Sequence, residues 1–248
     1  MLFQRKFFTH NRLRFSYLEG GRGPTILFLH GVFMEASTYL PLLELLRQHN
    51  HVIAMDLPGF GKSDFPEQPW HANDYSRWFQ AFIKHKKIRN ATLIAHSYGC
   101  AIALAIGKNS AIINQILTAP VKPTAKFIAL NYILTGMIKT FHEMKLYRHT
   151  PAFKRFMKTA VKNIARYLRH PRRYYKHIHF VYSTIPNATH VNTCVIIGST
   201  DELVRYAQAK QILNASHAVQ VMEIEGNHDF PIFEPQGVMK ALSIVSSI

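Results

Sequence analysis

The sequence predicts an α/β fold, a mostly parallel eight-stranded sheet flanked by helices. Two observations carry that expectation. Short, continuous apolar runs recur along a chain of 248 residues, 48% of them hydrophobic, and helical stretches separate one run from the next. A run that is apolar at every position has no solvent face, so it belongs to a strand covered on both sides. Strands that alternate with helices form right-handed βαβ units and a parallel sheet.

The elements follow in order. Residues 3–8 and 13–18 read as two early strands joined by a turn at His10-Asn11. The Thr-Ile-Leu-Phe-Leu run at 25–29 is the third, set off by Gly20-Gly21 and Gly23-Pro24. Similar runs at 52–55, 91–95, 112–117, 193–197 and 219–224 supply the other five. Helices are expected over 37–48, 73–85, 98–108, 203–214 and 235–246.

This composition excludes a disordered chain, which lacks the apolar surface to offset the cost of ordering. The length suits one α/β domain with an insertion. Cys100 and Cys194 stand outside any CxxC or Cys/His cluster, so neither a disulfide framework nor a metal site is expected. Arg5 and Lys6 fall where a signal peptide would carry its apolar core. No apolar run reaches the ~20 residues needed to cross a bilayer. A soluble cytoplasmic protein is therefore expected.

Charge is distributed unevenly. The net formal charge is +16, and residues 121–185 carry 14 of the 30 Lys and Arg with a single acidic residue, Glu143. Residues 1–120 contribute +6 and residues 186–248 contribute −3. One 65-residue stretch thus holds most of the excess, as a surface module with its own partner would.

Five motifs fall at the carboxyl ends of strands, where such sheets gather their functional residues. They are Leu29-His30-Gly31-Val32-Phe33, Asp56-Leu57-Pro58-Gly59-Phe60-Gly61-Lys62-Ser63, Ala95-His96-Ser97-Tyr98-Gly99, Gly198-Ser199-Thr200-Asp201 and Gly226-Asn227-His228-Asp229. Ser97 lies between small residues at a strand-to-helix turn, the setting of an exposed nucleophile. A serine hydroxyl needs a base, and the base needs an orienting carboxylate. His228 follows the last strand, and Asp201 ends the strand before it. The order Ser97, Asp201, His228 fits one hydrolase architecture. Taken alone, each residue is equally well a turn serine, a loop histidine or a helix-capping aspartate; their joint placement favours chemistry. Backbone amides of Val32 and Tyr98 are the expected donors to a developing oxyanion. His30 and Phe33 are expected to contact substrate.

Together these motifs resemble the α/β-hydrolase superfamily over essentially the whole chain. The resemblance implies Ser97 as nucleophile, Asp201 as acid, His228 as base, and no cofactor. It also implies a cap inserted after strand six. Residues 1–120 and 186–248 would then form the core and 121–185 a helical cap. The position after strand six, which some members use for their acid, reads Thr118-Ala119-Pro120, which leaves Asp201. A serine nucleophile disfavours the dehalogenase and epoxide-hydrolase branches, which use aspartate.

The expected cap coincides with the charge. Thr150-Pro151 starts a helix, with Phe153, Phe156, Met157, Ala160, Val161, Ile164 and Leu168 expected toward the core and a basic rim around them. Residues 127–144 are more apolar and are expected to line an acyl pocket. Residues 171–185 mix cations with tyrosines. A positive cap attracts an anionic partner, and Arg155, Lys158 and Arg172 are the candidate contacts. The layout is similar to that of the pimeloyl-acyl-carrier-protein methyl ester esterases, which implies a carrier-bound acyl ester docked through an acidic acyl carrier protein, in biotin precursor synthesis. An anionic membrane surface, as for a lipase, is the competing partner. Nucleic acid is not expected, because no recognised binding motif is present. The leading expectation is a serine hydrolase of carboxylic esters or thioesters. A non-catalytic ligand receptor on the same fold is the alternative.

Overall fold

The computed structural model describes residues 2–107, 109–121, 144–183, 191–204 and 219–246. Eight strands form one sheet: β1 (Gln4–His10), β2 (Leu13–Gly20), β3 (Thr25–Leu29), β4 (His51–Met55), β5 (Ala91–His96), β6 (Ile112–Thr118), β7 (Asn192–Gly198) and β8 (Val219–Ile224). Their spatial order is β1-β2-β4-β3-β5-β6-β7-β8. The β1–β2 hairpin and the β2–β4 pairing are antiparallel, and every pairing from β4 to β8 is parallel. The sheet is therefore the mostly parallel one that the apolar runs imply.

Alternation along the strands builds two cores. Leu27, Leu29, Ile53, Met55, Leu93, Ala95, Leu117, Val195 and Ile197 face one side, against α2 (Ala72–Lys86) and α3 (Tyr98–Ile106). Ile26, Phe28, Val52, Ala54, Ile94, Ile116, Cys194 and Ile196 face the other, against α1 (Leu40–Leu46) and the C-terminal helix Gln236–Ser246. Successive strand residues point to opposite faces, so an unbroken apolar run fills both layers. Each large side chain buried there contributes roughly 1.5–3 kcal/mol.

Most element limits shift by a residue or two, and three stretches are built differently from expectation. The helix expected at 37–48 opens as a 3-10 turn, Ala36–Tyr39, before α1, because Pro41 fits only a first helical turn. The last helix begins at Gln236, and a separate short turn, Phe230–Phe233, precedes it. Leu203 and Val204 lie in a turn that the Asp201 side chain caps through both their amides at 2.8 Å; the rest of that expected helix falls outside the described residues.

Of the basic stretch 121–185, residue 121 and residues 144–183 are described. Helix α4 (Pro151–Arg169) starts where expected: the Thr150 hydroxyl accepts from the Phe153 amide at 3.1 Å, and Pro151 occupies the first position. Helix α5 (Pro171–Ser183) follows. The inward face of α4 is only in part the one its apolar residues predict: Met157 and Ala160 pack against the core as expected. Phe153, Phe156, Thr159 and Asn163 are buried, whereas Val161, Ile164 and Leu168 are exposed. The helix is rotated because polar residues hold it. Asn163 Nδ2 donates to the Phe33 carbonyl at 2.7 Å, Lys162 pairs with Glu35 at 2.6 Å, and Arg166 donates to the Gly61 carbonyl at 2.9 Å. The stretch expected to line an acyl pocket, apart from Met144, lies outside the described residues.

Candidate active site

Ser97 follows β5 and immediately precedes α3, with φ 51° and ψ −113°. A non-glycine residue in that region is strained, and a sharp turn of this kind lifts the hydroxyl off the sheet. Gly99 makes the turn possible. A Cβ at that position would lie 2.5 Å from the Leu29 carbonyl oxygen and 2.8 Å from that of His30. Helix α3 therefore passes β3 at backbone distance.

The chain brings Ser97, His228 and Asp201 together from three strand ends. Ser97 Oγ lies 2.9 Å from His228 Nε2, and His228 Nδ1 lies 2.9 and 3.1 Å from the two oxygens of Asp201. A carboxylate only accepts, so Nδ1 carries the ring proton and Nε2 faces the hydroxyl as an acceptor. All three side chains are buried. Burial pushes the Asp201 carboxyl upward, but His228 and the amides of Leu203 and Val204 outweigh it and hold the group below the ordinary carboxylate value. The two loops are laced together. Thr200 donates through its amide at 3.0 Å and its hydroxyl at 2.9 Å to the Gly226 carbonyl, and Gly198 has no room for a Cβ against the Gly226 and Asn227 carbonyls.

The residue before the serine, His96, enters a second buried chain of hydrogen bonds. The Gly31 amide donates to the Tyr39 hydroxyl at 3.1 Å, that hydroxyl lies 2.6 Å from His96 Nδ1, and His96 Nε2 lies 3.0 Å from the His228 carbonyl. For a neutral imidazole the directions follow from the carbonyl end. The carbonyl accepts from Nε2–H, so Nδ1 accepts from tyrosine, whose oxygen is left to accept from Gly31. Neither Tyr39 nor His96 stood out in the sequence, because the contacts join residues 57 and 132 positions apart.

Tyr98 is the first residue of α3, and Val32 lies in the loop after β3, which pairs with β5. The next residue, Phe33, has φ 59°, and its ring packs against Phe60 and Tyr167, at the junction of core and basic helices.

His30 requires correction. It is fully buried, with Nδ1 2.7 Å from the Gly31 carbonyl and Nε2 accepting from the Leu57 amide at 2.9 Å. Burial lowers its pKa, and both nitrogens already serve the backbone, so it joins two loops rather than contacting substrate. Lys158 and Arg172 are exposed, and Arg155 is partly exposed.

The Asp56 motif acts as a hub. The buried Asp56 carboxylate accepts from the Ala36 amide at 2.8 Å, Arg5 at 2.6 Å, the Ser16 hydroxyl at 2.8 Å and the Lys62 amide at 3.0 Å. Gly61, at φ +57°, is required because a Cβ there would sit 2.3 Å from that carboxyl carbon. Among the described residues, His96, His228 and Asp229 place potential metal-ligand atoms within 4.8 Å of one another. A metal there would have to displace the Ser97–His228 or His96–His228 bonds, so these residues do not form a ready metal site.

The arrangement can be compared with known proteins. The model for "Alpha/beta hydrolase family" matches residues 26–241. A 2-(acetamidomethylene)succinate hydrolase of Mesorhizobium japonicum is 35% identical over 88 residues, 36% of this chain and 32% of that protein. A haloalkane dehalogenase of Bradyrhizobium diazoefficiens is 36% identical over 90 residues, 36% of this chain and 29% of that protein. These alignments thus span about a third of each relative's length. The enol-lactonase structure from Burkholderia xenovorans superimposes with a TM-score of 0.78 at 15% identity, covering 98% of this chain and all of that one. Among the described residues, no helix is long and apolar enough to cross a membrane. With its strand order, its strained serine turn and a family match over most of its length, the chain belongs to the alpha/beta hydrolase family.

Proposed function

We propose that the protein is a serine hydrolase of carboxylic esters or thioesters. The observation that carries this reading is the continuous Ser97–His228–Asp201 hydrogen-bond chain at a strained serine. His228 Nε2 takes the Ser97 proton as the oxygen attacks the substrate carbonyl. Asp201 holds Nδ1–H and stabilises the imidazolium that forms. The amides of Val32 and Tyr98 receive the oxyanion, a term for which one lost donor costs on the order of 10²–10³ in rate. His228 then protonates the leaving alcohol or thiol, and water repeats the sequence to free the acid. A serine in place of a carboxylate supports acyl transfer rather than the alkyl displacement that dehalogenation requires.

Two anionic presenters of an ester fit a basic cap: an acidic acyl carrier protein and an anionic bilayer. The outer face of α4 favours the second and is argued below. The test of the hydrolase reading is covalent labelling by a fluorophosphonate, expected in the wild type and lost in Ser97→Ala. Hydrolysis across p-nitrophenyl esters of increasing chain length then ranks acyl groups. A wild type that neither labels nor hydrolyses any ester is a receptor, and the reading fails.

A further inference from the structure

Helix α4 rests on the core with its apolar side only half used. Val161, Ile164 and Leu168 recur at helical spacing, so they line one flank as a row. They are 61%, 45% and 68% exposed. Scattered exposed apolar residues are ordinary, but a row along one helix marks a contact surface. Lys154, Lys158 and Arg169 are exposed along the adjoining flank. Between residues 144 and 183 the sequence has eleven Lys and Arg and no acidic residue. Three of these cations point inward: Lys162 to Glu35, Arg166 to Gly61, and Arg173 to Phe65 and Pro66. Of the other eight, Lys154, Lys158 and Arg169 border the apolar row.

Charge complementarity selects the occupant. A second copy of this surface would bring two all-cationic segments together, which like-charge repulsion opposes. An acidic protein would pair with the cations but leaves the exposed leucine and isoleucine row unexplained. An anionic bilayer meets both demands. The apolar row enters the boundary between headgroups and acyl chains, and the flanking cations lie at the phosphates. We propose that the outer face of α4, built on Val161, Ile164 and Leu168 with Lys154, Lys158 and Arg169, is a docking surface for anionic lipid. On its opposite face the same helix holds the Phe33 carbonyl through Asn163 and Glu35 through Lys162. Docking therefore sets the bilayer over the loop that follows β3. The surface does not depend on what Ser97 does.

Co-sedimentation with vesicles tests it, using phosphatidylcholine alone and phosphatidylcholine with phosphatidylglycerol. The wild type is expected to pellet with the anionic vesicles and to be released by high salt. Val161→Asp/Leu168→Asp and Lys154→Glu/Lys158→Glu should each weaken partitioning at least ~10-fold, with unchanged melting temperature. Ser97→Ala should bind as the wild type does, which separates this outcome from any failure of the hydrolase reading. Absence of binding to anionic vesicles overturns the proposal, as does binding that survives the apolar double variant. So does a wild-type dimer in light scattering that the apolar variant converts to monomer, which would assign the row to a copy–copy interface. Vesicle binding absent while the cationic positions bind an acidic acyl carrier protein also overturns it.

Discussion

His96 Nε2 donates to the main-chain carbonyl of His228 across 3.0 Å, so the residue before the proposed nucleophile holds the backbone of the proposed base. Through Tyr39 the same imidazole reaches the Gly31 amide. Tyr39→Phe removes the hydroxyl that both groups bond, and lost buried partners cost roughly 1–3 kcal/mol each. We expect kcat to fall on the order of 10-fold with KM nearly unchanged, because the base and the oxyanion loop shift relative to Ser97. Steady-state kinetics on a p-nitrophenyl ester would decide. A change in melting temperature with intact kcat assigns the network to stability alone.

Asp201 is the residue whose charge the site most protects. Asp201→Asn keeps the shape but offers the imidazole a side chain that can stabilise the wrong tautomer. A loss on the order of 10⁴ in kcat is expected, with the fold retained. Because the folded carboxyl lies below its ordinary value, it stays ionised as the pH falls through the usual carboxylate range. Its contribution to stability is present above that range and is lost only in stronger acid. An Asp201→Asn enzyme as fast as the wild type would show that another group orients His228.

His177 carries a pH-dependent load in the interface between α5 and the core. Burial, partly offset by the Pro58 carbonyl and reinforced by Arg173, lowers its pKa from 6.5 to about 4. Its Nε2 lies 2.8 Å from the Tyr75 hydroxyl, which in turn lies 3.2 Å from that of Tyr98. As the pH falls below 6.5 the unfolded chain takes up a proton that the folded one refuses until about 4. Stability therefore falls across that window, by at most about 3 kcal/mol from this group. Urea titrations at several pH values should give a flatter profile for His177→Gln than for the wild type. Parallel profiles would remove His177 from the account.

Arg173 fastens α5 to the loop after β4. It donates to the Phe65 and Pro66 carbonyls at 3.1 and 2.7 Å and stacks 4.3 Å above the Phe65 ring. Arg173→Ala should cost about 2 kcal/mol in chemical denaturation, the scale of charge-assisted hydrogen bonds. Arg173→Lys should recover less than half, because an ammonium lacks the planar fork. Full recovery by lysine would mean that charge alone holds the helix.

What could be read in the sequence was local. Strands Thr25–Leu29 and Val219–Ile224 match their expected limits, since an apolar run is its own signal. The convergence of Ser97, Asp201 and His228 was legible because each stands at a strand end and a parallel sheet gathers those ends. Long-range polar pairing was not legible. His30 reads as a substrate contact until Leu57 is seen donating to it. Periodicity placed Val161, Ile164 and Leu168 in the core because it registers apolarity alone. The rotation of α4 is set by Asn163, Lys162 and Arg166 finding partners on loops more than 100 residues earlier.

The Arg5–Asp56–Ala36 junction bears on how the protein should be handled. Arg5 belongs to an edge strand of the sheet, where a deletion looks harmless. Its guanidinium nonetheless neutralises a carboxylate that anchors the turn just after the proposed oxyanion loop. A shortened form that begins after Arg5 would strand that buried charge, a loss expected to cost several kcal/mol. Loss of activity on such a deletion would be mistaken for damage to the site itself.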